Sequence, residues 1–549
     1  MMRKESVLIL GAGLMQSPAL RAAKKNGFKT FVIDANPNAD SVPLADEFRQ
    51  IDLKDTERIL DFAEFLHREE NLKAVFTAGT DFSAAVSFVC EKLGLPSHSY
   101  EAALNASIKP RMRACFAKSG VPSPDYVSLS KNPSSENGLY SAENCIRAVR
   151  TLGFPCVVKP ADNMGARGCR LIRSEDEIRS AVENAVRYSR TGTVILEQYM
   201  NGPEYSIDAI VYDGTLTITG FADRHIFYPP YFIETGHTLP TAAGEREQQE
   251  LIATFAAGVK ALGLSCGAAK ADIKYTKNGP QIGEIAARLS GGYMSGWTFP
   301  YSSSCNVTEQ ALLIAADRCP EKLLEMRNPV SFETDGAPFS IYQVPSKKTS
   351  AERAWISIPG TVASISGFRR AQKTCSVKNV FPRPVHPGET VDFPRNNVQK
   401  CGNAISVSSS SDKAVRSACR ACSRMFVRLS PCDERTERFL HGETASDERG
   451  FPPAAYSCFS VFEHVLLPGC IPENKPVLSC VPEEIRPLLS TAETDWNYLT
   501  LRTAAARFDK LCRKHPALPQ EQFWKALMKG GIQAAVYVSD TISENKKGE

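Results

Sequence analysis

The sequence predicts a multidomain protein of mixed α/β and α+β class, led by a Rossmann-like doubly wound unit. Three observations predict it. The 549 residues exceed what one domain holds, since domains run to roughly 100–200 residues. Fully apolar runs near the N-terminus alternate with helical stretches, the pattern of parallel strands buried on both faces. Beyond residue 154, three strand pairs close on glycine-bearing turns.

Val7-Leu8-Ile9-Leu10 is the first strand, Gly11-Ala12-Gly13 its turn, and Pro18–Asn26 the following helix. Phe31-Val32-Ile33-Asp34 and Ala74-Val75-Phe76-Thr77 are the next two strands. The turn invites a dinucleotide reading and, with it, an NAD-dependent oxidoreductase. Gln16 stands where G-x-G-x-x-G needs its third glycine, however, and Asp34 lies closer to the turn than a ribose-binding acid does. A tight strand-to-helix turn is the preferred reading. Lys109–Ser119 is a basic helix ended by Gly120, and an α+β region runs from about Thr151 to Leu313. The next region has strand-like pieces at Phe339–Tyr342 and Val362–Ile365. Its serine run, Ser408–Ser411, falls where a helix beginning at Lys413 needs an N-cap. Cys419 and Cys422 form a C-x-x-C on an expected helix, Ser417–Val427, and read as buried thiols. After Asp433 the chain is rich in proline and charge, and helices are expected at Leu499–His515 and Gln520–Lys529. The expected domains are 1–108, 109–328, 329–432 and 433–549.

Sixty-five bases against 61 acids give no concentrated basic face, so nucleic acid is not an expected partner. The 17 cysteines are scattered and odd in number, which fits a reducing compartment. The apolar run Val7–Leu10 is too short for a signal peptide, and no stretch reaches membrane-spanning length. A cytoplasmic protein without a membrane partner is expected.

Three segments carry chemistry. In the first, strand Phe154–Lys159 ends in a lysine, and the loop Asn163-Met164-Gly165-Ala166-Arg167-Gly168 follows. Such a loop can fold its backbone N–H groups over a polyphosphate, with Lys159 as a point charge. In the second, strand Val194–Glu197 passes through Gln198-Tyr199-Met200-Asn201-Gly202-Pro203 to Glu204, placing two acids where a purine and a ribose could be held. In the third, Lys270-Ala271-Asp272 and Glu284-Ile285-Ala286-Ala287-Arg288 flank the turn Lys277–Pro280. Asp272 and Glu284 can then share one face, and paired carboxylates suit Mg²⁺, which shares its remaining sites with phosphate and water.

In this order and spacing the segments resemble the ATP-grasp superfamily, over residues 1 to about 430. The fold implied is a Rossmann-like domain, an ATP-grasp core of two α+β lobes, a C-terminal α+β subdomain and an accessory helical segment. The resemblance makes Lys109 and Lys159 nucleotide contacts and puts Gly165, Arg167 and Gly168 in the mobile phosphate loop. It assigns Glu197 and Tyr199 to the adenine hinge, Glu204 to the ribose, Asp272 and Glu284 to magnesium, and Arg288 to the transferring phosphate. Ala286 departs from the Asn-Pro-Arg form common in the superfamily and leaves a second metal site without its usual asparagine. The loop Tyr228–Thr241 resembles the acceptor loop of L-amino-acid (dipeptide) ligases, where Glu234 would meet an ammonium and His237 a carboxylate or a shuttled proton. The implied activity is ATP-dependent carboxylate–amine ligation through an acyl phosphate, releasing ADP and phosphate. ATP and Mg²⁺, or Mn²⁺ in its place, are the implied cofactors. Amino acids are the implied substrates, and relatives are often homodimers. Two alternatives stay open: a bicarbonate-activating enzyme of the carbamoyl-phosphate synthase or biotin carboxylase kind, which the Glu234–His237 loop disfavours, and a catalytically silent ATP-binding protein, which Ala286 keeps in play.

Overall fold

The structure, a computed structural model, describes residues 4–130, 142–330, 339–383, 385–442, 448 and 450–548. It divides into two compact units. One comprises Met1–Met164, Leu171–His225 and His237–Ser350; the other comprises Gly165–Arg170, Ile226–Gly236 and Ala351–Glu549.

The first unit opens with a parallel sheet in the order Glu47–Gln50, Lys29–Asp34, Ser6–Leu10, Leu72–Phe76. Three of these strands are apolar and were expected. Glu47–Gln50 is polar and mostly exposed, as an edge strand can be, so no hydrophobic pattern announces it. The glycine turn is closed from within. Asp34 Oδ2 accepts from Ala12 N at 2.8 Å. Gln16 is fully buried and ties the turn to the loop after the fourth strand, donating to Ala78 O at 2.6 Å and accepting from Ala78 N at 2.9 Å.

A second sheet runs Tyr126–Leu129, Val194–Gln198, Cys156–Pro160, Arg170–Ile172. Cys156, Val158, Val194 and Leu196 pack against the helix Ile178–Tyr188 through Ile178, Ala181, Val182 and Ala185. Strand alternation then sends Val157, Lys159, Ile195 and Glu197 to the opposite face. The third sheet of this unit is antiparallel, in the order Gly279–Ala286, Gly267–Thr276, Glu204–Tyr212, Thr215–Phe227. Its odd-numbered residues Tyr205, Ile207, Ala209, Ala269, Ala271 and Ile273 join a core with the helices Glu245–Leu262 and Lys109–Lys118. The even-numbered Glu204, Asp208, Lys270 and Asp272 therefore share the other face.

His98 fastens this unit internally. Its Nδ1 accepts from Ser265 N and Cys266 N, both at 3.1 Å, so the ring proton lies on Nε2, which donates to Ala268 O at 3.0 Å. Burial depresses its pKa to about 4. A depressed base destabilises the fold when it must be protonated. Its contribution is therefore intact above the ordinary value of 6.5 and is lost as pH falls from there toward 4. Urea titrations should show wild type losing about 2 kcal/mol more than His98→Asn between pH 6.5 and 5. Parallel pH profiles would contradict this.

Strands Ile233–Leu239, Thr349–Trp355, Gly402–Ser408 and Val377–Pro382 are neighbours in that order, the last two lying wholly in the second unit. Gly236, at φ 154°, lies so close to Glu352 O that any Cβ there would collide with it. A smaller sheet, Thr390–Val391, Gly360–Ser366, Phe426–Leu429, shares one core with the C-terminal segment: Ile358, Val362 and Val427 pack with Trp524, Leu527, Met528 and Tyr537. Gln533 stitches this junction, donating to Ser357 Oγ and Val427 O and accepting from Ile358 N. Ser410 caps the helix Ser411–Cys422 by accepting from Lys413 N, as its sequence position suggested. That helix ends at Cys422 instead of Val427, because Phe426–Leu429 is a strand. Cys419 and Cys422 have pKa values raised by burial, and Cys422 Sγ donates to Arg353 O. The C-terminal helices are Leu501–Leu511 and Gln520–Gly548, the latter broken at Gly530 and Gly531 and resuming beyond the expected end at Lys529. All 17 cysteines are free thiols. Among the described residues no helix is long and apolar enough to cross a membrane.

Candidate active site

The face built by strand alternation carries a chain of charges in the first unit. Lys159, on Cys156–Pro160, ion-pairs with Glu197 on the adjacent strand. Arg113, from the helix Lys109–Lys118, reaches the same carboxylate at 2.9 Å and also donates to Gly283 O at 2.5 Å. Burial would raise the Glu197 pKa, but Arg113, Lys159 and Lys109 outweigh it and hold it below the usual carboxylate range. Glu197 thus presents its charge to two cations. Lys109 is buried and donates through Nζ to Asn163 O at 2.7 Å, at the start of the loop Asn163–Gly168. Tyr199 lies two residues after Glu197, with the Lys274 ammonium 5.2 Å from its ring centre.

On the antiparallel sheet, Asp272 and Glu284 are direct cross-strand partners, brought opposite each other by a β-bulge beside Asp272. Asp272 meets Arg224 at 2.8 Å and Lys270 at 2.5 Å. Arg224 also pairs with Glu204, whose other oxygen lies 3.4 Å from Lys274. Burial acts to raise the Glu284 pKa; Lys109 and Lys270, then Arg288, override it and the repulsion from Asp272, so the carboxyl stays below its ordinary value. Lys109, Lys270, Asp272, Glu284 and Arg288 therefore form one electrostatic cluster. Arg288 is buried, donating to Leu289 O at 3.0 Å and approaching Met164 Sδ at 3.9 Å. Asp208 lies on the same face, accepts from Ser290 N at 3.1 Å, and is pushed up to about 6 by burial. Among the described residues no group of three or more His, Cys, Asp or Glu converges as a metal cage. Two opposed carboxylates that already gather an ammonium and a guanidinium fit Mg²⁺, which takes one or two protein carboxylates and completes its shell with phosphate and water. Ala286 pairs in register with Lys270 and offers no ligand atom.

His237 belongs to the first unit and is almost fully buried. Gly165, Arg167, Gly168 and Glu234 belong to the second. Gly165, Ala166 and Gly168 all have positive φ, 70°, 58° and 69°, the left-handed turns such a loop needs. Glu234 is buried beside Lys400, whose ammonium stands 3.9 Å from its carboxylate.

Two family profiles match the chain: "ATP-grasp domain" over residues 152–296, and "L-amino acid ligase C-terminal domain 2" over residues 354–430. The first spans Lys159, Glu197, Glu204, Asp272, Glu284 and Arg288. The chain carries an ATP-grasp domain. It is similar to carnosine synthase 1 of Mus musculus, 26% identical over 317 residues, covering 54% of this chain and 38% of that protein. It is also similar to a D-alanine–D-alanine ligase of Pseudomonas entomophila, 28% identical over 195 residues, 34% of this chain and 57% of that protein. The chain thus spans between about a third and three-fifths of the length of these curated relatives. The crystal structure of an L-amino acid ligase from Bacillus licheniformis superposes with a TM-score of 0.63 at 17% identity, over 78% of this chain and all of that one, a likeness of fold.

Around these acids three cations escaped the sequence reading. Arg113 had a signal: it lies four residues after Lys109, one helical turn along the same face. Lys270 also had one, at two residues from Asp272 on a strand. Arg224 had none, because Glu204 and Asp272 reach it only through sheet pairing.

Proposed function

We propose that the protein is an ATP- and Mg²⁺-dependent ligase that joins a carboxylate to an amine, both amino acids, through an acyl phosphate, releasing ADP and phosphate. The observation that carries this is Asp272 facing Glu284 across one hairpin, with Lys109, Lys270 and Arg288 gathered around Glu284. The names of the relatives, a D-alanine–D-alanine ligase and an L-amino acid ligase, support the substrate class. The seventeen free thiols support a cytoplasmic location.

A substrate carboxylate oxygen attacks the γ-phosphorus, the bond to the bridging oxygen breaks, and ADP leaves. Lys109 and Lys159 hold phosphate oxygens, the latter braced by Glu197. Arg288 takes up charge on the transferring group, and Glu204 holds the ribose once Arg224 is drawn away. Asp272 and Glu284 would hold Mg²⁺, which would supply positive charge against the phosphates. The loop Asn163–Gly168 covers the acyl phosphate against water. Glu234 holds the acceptor's ammonium group; once that group has released a proton to solvent, the free amine nitrogen attacks the acyl carbon, phosphate departs, and the nitrogen passes its second proton to His237. Alignment of the two reactants can supply on the order of 7–11 kcal/mol of the barrier, and the protein's share is mainly position and charge.

The test is ADP release over pairs of amino acids with Mg²⁺, with products identified by mass spectrometry. One amide per ADP is expected for at least one pair. ADP release that follows bicarbonate and ignores amino acids, or ATP binding without turnover across the panel, overturns the reading.

A further inference from the structure

Glu234 is held by its main chain as well as its side chain. Its N–H donates to Asn397 Oδ1 at 2.8 Å, and its carbonyl accepts from Lys400 Nζ at 2.7 Å. The segment 397–400 thus grips both sides of the Glu234 peptide, within the second unit. Asn397 has further work. Its own N–H donates to Gly165 O at 3.1 Å, and its carbonyl accepts from Arg383 at 2.8 Å. Gly165 is the first glycine of the phosphate loop, in the left-handed conformation at φ 70°. One residue therefore meets the phosphate loop with its main chain and the Glu234 strand with its side chain, while Arg383 fixes it in place. Neighbouring Asn396 is occupied differently: its side chain accepts from Val398 N and so shapes the turn that presents Asn397.

We propose that Asn397 is a positioning residue that couples the phosphate loop to the amine side of the site. When the loop orders on a nucleoside triphosphate, Gly165 O is fixed; this fixes the Asn397 peptide, and Asn397 Oδ1 in turn fixes Glu234. The amine pocket is then complete only on the nucleotide-loaded protein, which delays the amine until an acyl phosphate can form. This rests on the ligase reading for the role of Glu234, but the coupling itself can be read without turnover.

The variants separate the two contacts. Asn397→Ala keeps the N–H to Gly165 and removes the acceptor for Glu234. Asn397→Asp keeps both. Hydrogen exchange by mass spectrometry, with Mg²⁺ and a non-hydrolysable ATP analogue, reads peptides covering 163–169 and 232–238. In wild type the analogue should slow exchange in both. In Asn397→Ala it should slow only 163–169, leaving the Glu234 amide at least tenfold faster than in loaded wild type, and Asn397→Asp should return it to within threefold. In turnover, Asn397→Ala should raise KM for the amine at least tenfold and leave KM for ATP within twofold. The proposal is overturned if 232–238 stays protected in Asn397→Ala, or if wild type protects 163–169 alone. If the analogue protects neither peptide, nucleotide binding fails, and the ligase reading falls with the coupling. Coupled protection without amino-acid turnover would defeat the ligase reading alone.

Discussion

Glu284→Ala should abolish amine-dependent ADP release, by about 10³-fold or more, with little change in thermal midpoint. The magnitude follows from removing one preorganised charge at a developing phosphoryl transition state, where single groups are worth about 10²–10³ in rate, compounded by loss of half the metal's protein ligands. The fold should survive because Glu284 is half-buried and Lys270 keeps its pairing with Asp272. The strand itself is held by backbone pairing and by Ile282 and Ile285 in the core beneath. Steady-state ADP release and a melting curve on the same preparation decide it. Turnover equal to wild type would defeat the assignment of this pair to the metal.

Arg113→Met should destabilise the first unit by about 3–5 kcal/mol, the range for breaking a buried ion pair by removing one partner. Arg113 and Glu197 are both essentially inaccessible to solvent, at 0% and 1% side-chain exposure. The variant also loses the contact to Gly283 O, which joins the lysine-bearing sheet to the hairpin of Asp272 and Glu284. Denaturant unfolding at neutral pH measures the loss. The pH dependence adds a check. Glu197 has a depressed pKa, so its contribution is full above the ordinary carboxylate value of 4.5 and is lost as pH falls through the lower folded-state value. Removing Arg113 takes away the largest opposing cation, so the variant should lose less on further acidification than wild type. A loss under 1 kcal/mol would mean that Lys159 alone suffices for Glu197.

The turn at Lys277–Pro280 marks the hairpin that carries the acid pair, but counting outward from it sets Asp272 against Gly283; a β-bulge beside Asp272 shifts the register by one residue and brings Glu284 opposite. The apolar strands of the N-terminal sheet were readable from their own apolar runs. Arg113 and Glu197, 84 residues apart, meet only after two sheets and a helix have packed, and no periodicity encodes that. Glu47–Gln50 lacks the apolar alternation of a strand because all its residues but Phe48 are exposed. The stretch 417–427 misled because apolar residues spaced for a helix continue into the strand Phe426–Leu429, and short apolar runs satisfy both periods. A helix was expected to stop at Lys529, before Gly530-Gly531. It breaks and resumes because the following residues, from Ile532 to Val538, are buried in the core of the second unit.

Asp272, held by Arg224 and Lys270, gives the site the character of an ion exchanger. On the proposed reading, a divalent cation arriving alone would have to displace both positive groups from Asp272, leaving Arg224 only its existing partner Glu204. Arriving with a triphosphate, it would bring anionic oxygens to which the displaced guanidinium and ammonium can turn, so metal and nucleotide would enter as a pair.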